Sequence, residues 1–219
     1  MIKSNFRLDT KIDFKEDNSE VTETDIAINK FIIESINKKF PNHNILSEEG
    51  SDFSKESDFL WICDPIDGTV AFSHGIPTCI FSLALVHKKE PILCAIYDPF
   101  LDRIFYAEKG EGAFLNNEKI KVSNKKDINN SLIGHSNWKN AKFNTKLVYV
   151  PLIERGTGML DLGSIVYMGA LVSCGKLDAI IFPQTSVYES AALKILIEEA
   201  EGKVSDLYGN DQQYTEQIK

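Results

Sequence analysis

Two carboxylates, a glycine and a hydroxyl close the run Trp61-Ile62-Cys63-Asp64-Pro65-Ile66-Asp67-Gly68-Thr69. At the end of an apolar strand, residues of these types can hold metal ions against a phosphate. The strand is read from Phe59 to Cys63, a short continuous apolar run that suits burial on both faces, and Pro65 is expected to end its ladder. Asp64 and Asp67 then flank a turn that Gly68 permits, and the amides of Gly68 and Thr69 can point at an anion if a helix begins there. Two negative side chains beside such a turn repel an anion unless cations stand between them. Asp-Pro and Asp-Gly also make ordinary turns, so the reading depends on the acids that accompany this run.

Three other stretches set acids at the ends of expected elements. Ile45-Leu46-Ser47-Glu48-Glu49-Gly50 places two adjacent acids after an apolar stretch. Val21-Thr22-Glu23-Thr24-Asp25 opens an amphipathic helix, and Val187-Tyr188-Glu189-Ser190 opens a second helix with an acid in its first turn. If Glu49, Asp64, Asp67 and Glu189 converge, their repulsion raises their pKa values unless metal occupies the space between them. Oxygen donors without His or Cys favour Mg²⁺ over zinc or iron, with Mn²⁺ as a substitute. Each group also has a plainer role: Asp25 as the acid of a capping box with Thr22, Glu48 and Glu49 as solvated loop acids, Glu189 as the complement of a helix N-terminus, and Thr69 as a helix cap. His74, His87 and His135 show no ligand spacing and are given no catalytic role.

The order and spacing of these acids resemble the inositol monophosphatase family, the lithium-sensitive, magnesium-dependent phosphatase superfamily. Its pattern is an early Thr-x-x-Asp, a Glu-Glu pair, Asp-Pro-(Ile/Leu)-Asp-Gly-Thr, and a late Trp-Asp before Ala-Ala or Ala-Gly. Phe72 to Pro77, Ala107 to Asn116, Leu162-Gly163-Ser164 and Glu198 to Asp206 resemble it too, so the likeness runs from about Phe6 to about Gly209. The resemblance implies that Glu49, Asp64, Thr69 and the Ile66 carbonyl serve the metal that activates the attacking water. Asp64, Asp67 and Glu189 would hold the second metal, which stabilises the departing alkoxide. It further implies that Thr69, bonded to Asp25, orients and deprotonates the nucleophile, that the Gly68 and Thr69 amides receive phosphate oxygens, and that Glu48 sits outside the metal ligands or at a weak third ion. Gly163-Ser164 resembles the family's phosphate-side or sugar-side helix start, and a simple helix entry explains it equally. A homodimer and lithium sensitivity are implied on the same basis.

The 219 residues, 43% of them hydrophobic, can bury one large core or two joined ones. No stretch is long and apolar enough to span a bilayer, and Met1 to Arg7 lacks the apolar core of a signal peptide, so a cytoplasmic protein is expected. Cys63, Cys79, Cys94 and Cys174 sit in apolar surroundings without Cys-x-x-Cys spacing and read as core residues of a reducing compartment, not zinc ligands or disulfide partners. A net charge of -8 argues against broad nucleic-acid binding, which needs a basic face.

A helix is expected from Thr22 to Phe40, with Ile28, Phe31, Ile32, Ile36 and Phe40 on one face. Cys79–His87, Pro91–Asp98, Arg103–Glu108 and Lys119–Val122 read as an antiparallel meander, with turns between Lys109 and Asn117. Strands follow at Leu132–Ser136, Lys146–Val150 and Asp178–Phe182, with helices over Gly163–Ser173 and Glu189–Ala200. This order fits an α/β (α+β) fold of packed layers. The resemblance implies an α/β/α/β/α sandwich of the sugar phosphatase type: one catalytic domain over 1–219, with a metal-site half (1–130), a second α/β half (131–219) and the site where they meet.

Three departures from the family pattern shape the functional expectation. Tyr188-Glu189 stands where the family has Trp-Asp, and Glu is one methylene longer. The family's usual first helix is expected to be lacking, leaving one flank of the sheet bare or covered by a partner subunit. The segment from Ser131 to Leu162 is short, and Phe182-Pro183 replaces the acid that binds an inositol ring hydroxyl. The expectation is therefore Mg²⁺-dependent hydrolysis of a small phosphate monoester. Inositol 1-phosphate, histidinol phosphate, a fructose bisphosphate and a 3′-phosphoadenosine nucleotide all remain open. A phosphate-binding or regulatory protein with catalysis impaired by Tyr188-Glu189 is the alternative.

Overall fold

The structure is a computed structural model that describes residues 1–15, 19–136, 143–212 and 214. A one-turn helix α1 (Ile2–Asn5) and the small hairpin β1 (Asp13–Phe14) and β2 (Glu20–Val21) lead into α2 (Glu23–Lys39). The start of α2 is set locally. Thr22 accepts from the amides of Thr24 and Asp25, and Asp25 accepts in return from the Thr22 amide, a complete capping box. Ile28, Ile32 and Ile36 turn inward, whereas Phe31 is exposed.

Seven strands then form one sheet in chain order: β3 (Asn44–Ser47), β4 (Phe59–Asp67), β5 (Ile80–His87), β6 (Glu90–Asp98), β7 (Arg103–Glu108), β8 (Gly112–Leu115) and β9 (Glu118–Ile120), with α3 (Thr69–Ser73) after β4. The meander from β4 onward is antiparallel, but β3 lies parallel to β4, so the sheet is mixed and not wholly antiparallel. Two further expectations are corrected. Gly112–Leu115, read as part of a turn, pairs with Phe105–Glu108 as a strand. Pro65 does not end β4, which continues to Asp67: Asp64 pairs with Ser82 and Asp67 with Ile80, so three steps on β4 face two on β5, a bulge. Pro65 has no N–H to donate and is tolerated in such an irregularity.

A second, parallel sheet of three strands has the order β11-β10-β12, with β10 (Leu132–His135), β11 (Gly158–Leu160) and β12 (Ala179–Ile181). The strand expected at Lys146–Val150 is instead helix α4 (Lys146–Glu154), and the place beside β10 is taken by β11, which the sequence reading did not foresee. Leu147-Val148-Tyr149-Val150 has the composition of a strand. Tertiary contact overrides it: Tyr149 and Leu152, one helical turn apart, are buried, and the Tyr149 hydroxyl reaches the Ser136 and Ile181 carbonyls at 3.1 and 3.0 Å.

Between the sheets lie α5 (Ile165–Ser173) and α6 (Val187–Glu199). The layers are thus α2, the seven-stranded sheet, α5 with α6, the three-stranded sheet, and α4: the α/β/α/β/α sandwich expected. Ile62, Ala84, Ile96 and Phe105 pack against Met168, Leu193 and Leu196 in the main core. The opposite face of the large sheet is thinly covered. On β5, Ile80, Ser82, Ala84 and Val86 are buried while Phe81, Leu83 and Leu85, facing α2, are half-buried; their neighbours Tyr97 and Ile104 are exposed. No helix among the described residues is long and apolar enough to cross a membrane.

The two central helices touch at Gly169, where a Cβ would run into the side-chain carbons of the buried Leu193. Gly169→Ala is therefore expected to cost about 1–3 kcal/mol by overpacking, read as a lowered urea midpoint, and the same substitution made in a Leu193→Ala chain should cost less, because the crowding carbons are gone. A neutral Gly169→Ala would mean that the helices can part at no cost.

Candidate active site

The bulge in β4 is what makes the Asp-x-x-Asp spacing useful. In a regular strand, residues three apart point to opposite faces; the extra residue returns Asp64 and Asp67 to the same side, and both line one cleft. Gly68 follows with φ +92°, and a Cβ there would meet Ser164 Cβ at 3.1 Å, the Gly163 carbonyl at 3.2 Å and the Thr78 carbonyl at 3.3 Å. The turn after β4 is therefore pressed against the start of α5, in a conformation that favours glycine.

Three of the acids, Asp67, Asp25 and Glu189, are fixed by the start of a helix. Asp67 Oδ2 accepts from the Ser164 hydroxyl and, at 2.7 Å, from the Val166 amide, in the first turn of α5. Asp25 spends Oδ2 on the α2 cap, with the Thr22 amide at 2.9 Å, and its Oδ1 lies 3.2 Å from Thr69 Oγ1. The Thr69 hydroxyl is also 3.0 Å from the Ile66 carbonyl, so one hydrogen has two acceptors. Glu189 Oε2 accepts from the Ser186 amide at 2.7 Å, the Ser186 hydroxyl at 3.0 Å and Thr185 Oγ1 at 2.9 Å, a capping box at the start of α6. Asp64 Oδ1 accepts from the Ile66 amide at 3.1 Å.

Glu48 and Glu49, beyond the end of β3, are held by a group that the sequence reading missed. Lys15 Nζ lies 2.7 Å from Glu48 Oε1 and 2.6 Å from Glu49 Oε1, which pins the β1–β2 hairpin over this edge of the site. Nothing in the local pattern around Lys15 marks it, because its partners lie more than thirty residues away.

The cleft has a volume of ≈ 350 Å³. Glu48, Asp64, Ile66 and Asp67 line it, together with Gly68, Thr69, Gly163 and Glu189. Asp25, Glu49 and Ser164 stand behind that lining, joined to it through Thr69, Lys15 and Asp67. Phe14, Ser19, Glu20, Val70, Ser136 and Ile165 complete the lining, and none of these was singled out from the sequence. His74, His87 and His135 are not among the lining residues.

Crowded, buried acids hold protons strongly. Burial pushes Asp64 well above the usual carboxylate range, and the charges of Glu48, Asp67 and Glu189 add to it. Asp67 is raised to about 7 by burial and then by Glu189, against the opposing bonds from Ser164 and Val166. Burial also raises Glu189, Asp25 and Glu49, the last against the pull of Lys15. Burial alone would lower the Lys15 ammonium's pKa, but hydrogen bonds and attraction from Glu48 and Glu49 raise it instead.

The donors fit a hard divalent cation in kind: carboxylates, a hydroxyl and a carbonyl around a cleft where negative charge is destabilised. Among the described residues, no three His, Cys, Asp or Glu side chains already form a ligand cluster. Glu48 and Glu49 are turned to Lys15, and Glu189 has one oxygen committed to its cap, so the acids ring the cleft without meeting at one point.

A profile of the inositol monophosphatase family matches residues 1–218. A protein of Thermotoga maritima called fructose-1,6-bisphosphatase/inositol-1-monophosphatase is 35% identical over 192 residues, 87% of this chain and 73% of that protein. The Nus factor SuhB of Xylella fastidiosa is 33% identical over 205 residues, 92% of this chain and 72% of its own length. Among solved structures, the Thermotoga maritima IMPase superposes with a TM-score of 0.87 at 31% identity, covering 96% of this chain and 82% of that one. With its match along nearly the whole sequence and its layered fold, this chain belongs to the inositol monophosphatase family.

Proposed function

We propose that this protein hydrolyses small phosphate monoesters with water as nucleophile and Mg²⁺ as cofactor. The observation that carries the reading is one cleft lined by Asp64, Asp67, Glu48 and Glu189, in which burial, with the crowding of negative charge, pushes the pKa values of Asp64, Asp67 and Glu189 upward. Family membership supports phosphatase activity in general terms. Bound Mg²⁺ would neutralise the phosphate and supply an activated water at neutral pH.

In this reading Glu49, Asp64, the Ile66 carbonyl and Thr69 would hold the ion on the nucleophile's side. Asp64, Asp67 and Glu189 would hold the one on the leaving-group side, and Glu48 would serve outside these ligands or at a third ion. The Thr69–Asp25 pair orients the attacking water and takes its proton; a buried Asp25 with a raised pKa is a better base than an exposed carboxylate. The Gly68 and Thr69 amides receive phosphate oxygens, and Gly163-Ser164 borders the phosphate or the leaving group. Inositol phosphate and related polyol, sugar and nucleotide phosphates are the candidate substrates.

A second reading, a phosphate-binding or regulatory protein, is favoured by one observation: three hydrogen bonds already engage Glu189 Oε2. Phosphate release from a panel of monoesters separates the two. The enzyme should require Mg²⁺, lose roughly 100-fold or more in kcat/KM in Asp67→Asn, keep or gain activity in Glu189→Asp, and be inhibited by millimolar lithium. If neither the natural chain nor Glu189→Asp releases phosphate, the binding reading replaces the enzyme.

The raised acids also make the metal-free fold sensitive to pH. Asp67 is held near 7 when folded against an ordinary value of about 3.9 unfolded. Its stabilising contribution is therefore complete below about pH 4 and is lost as pH rises through about 7. In EDTA, the contribution of Asp67 should lower the melting temperature between about pH 5 and pH 8; Mg²⁺ should restore stability at pH 8, and Asp67→Asn should flatten the profile. A melting temperature in EDTA that rises over this interval in the natural chain and in Asp67→Asn alike would show that Asp67 is not protonated in the fold.

A further inference from the structure

Beyond the cleft, a buried polar cluster reaches the same helix end that holds Asp67. Asp98, at the end of β6, is fully buried, and Arg103 at the start of β7 faces it across the hairpin. Arg103 donates to Asp98 Oδ2 through Nε at 3.1 Å and Nη2 at 2.8 Å. The Tyr167 hydroxyl donates to the same oxygen at 3.0 Å and accepts from Arg103 Nη2 at 2.6 Å. Asp98 Oδ1 meanwhile receives the amides of Phe100 and Leu101 at 3.0 and 3.2 Å, which stiffens the hairpin tip.

Tyr167 belongs to the first turn of α5. Its amide donates to Ser164 Oγ at 3.1 Å, and Ser164 and Val166 are the two residues that grip Asp67 Oδ2. The hairpin tip therefore clamps the turn that aims the carboxylate. Two charge-assisted arginine N–H bonds to one oxygen of the buried Asp98 stiffen the clamp, and rotation of this turn would move both donors of Asp67 together.

We infer that Tyr167, held by Asp98 and Arg103, is a positioning residue for Asp67, setting the metal affinity of the leaving-group side of the site without touching substrate. The inference rests on the phosphatase reading above. Hydrogen-bonding partners behind metal ligands commonly govern affinity by about 10-fold or more.

The test is Mn²⁺ binding to the whole chain by calorimetry, alongside steady-state kinetics over a range of Mg²⁺. Tyr167→Phe keeps the ring and removes the hydroxyl. It should remain folded, weaken one class of Mn²⁺ site about 10-fold and raise the Mg²⁺ needed for half-maximal rate to match, with KM for the monoester unchanged. Arg103→Lys, which keeps the charge and loses the fork, should shift the same site in the same direction by a smaller factor, and it provides the reading if Tyr167→Phe does not fold. Wild-type Mn²⁺ affinity in both variants, even with a lowered melting temperature, would reduce the cluster to a structural brace and overturn the inference. A natural chain that binds no Mn²⁺ would overturn the phosphatase reading first, and this inference with it.

Discussion

Buried carboxylates repel one another, and this chain resolves that conflict by giving each of three acids the N-terminal end of a helix. Asp25 serves the start of α2, Asp67 the first turn of α5 and Glu189 the start of α6. Unpaired amides at a helix start carry partial positive charge, so each carboxylate finds compensation where the helix itself needs an acceptor. The same bonds tie the starts of three helices to the cleft. Stability and site geometry are thus one set of interactions, which is why the acids stay buried even though their pKa values are pushed up.

The large sheet supplies the reference frame. β4 lies between β3 and β5 with most of its length buried, and it carries Asp64 and Asp67 to the sheet's end. The bulge there re-aims two side chains that a regular strand would send apart, and Gly68 lets the backbone pass against α5 where any Cβ would crowd three neighbours. On the far edge, Lys15 holds Glu48 and Glu49 with a positive charge of the protein's own. The two sides of the cleft are therefore stabilised differently: helix amides on one, an ammonium on the other.

Much of this was legible in the sequence wherever the interaction is local. The cap at Thr22–Asp25 joins residues three apart, Glu189 reads as an acid in the first turn of its helix, and α2 declares itself by its 3.6-residue period. The apolar run before Asp64 reads as a strand, and β5, β6 and β7 follow from alternation and turns. The five-layer arrangement and the acids of the site came from motif order, through resemblance to a known family. Composition misled at Lys146–Val150, where a β-branched run became α4 because Tyr149 anchors it against the small sheet. It misled again at Gly112–Leu115, where a glycine-rich stretch is recruited as a strand because β7 offers an edge to pair with.

By itself, then, the sequence determined which acids, hydroxyls and glycines make up the candidate site, and which segments would be helix or strand where neighbours three, four or two residues apart decide the matter. Tertiary structure alone decided the rest: the bulge that turns Asp64 and Asp67 to one side, the bond between Asp67 and Ser164 nearly a hundred positions away, the Lys15 bridge, and the clamp of Asp98 and Arg103 on Tyr167. These depend on which surfaces bury each other, and burial sets both the strength of a charge and the cost of leaving it unpaired. No local period in a chain encodes that.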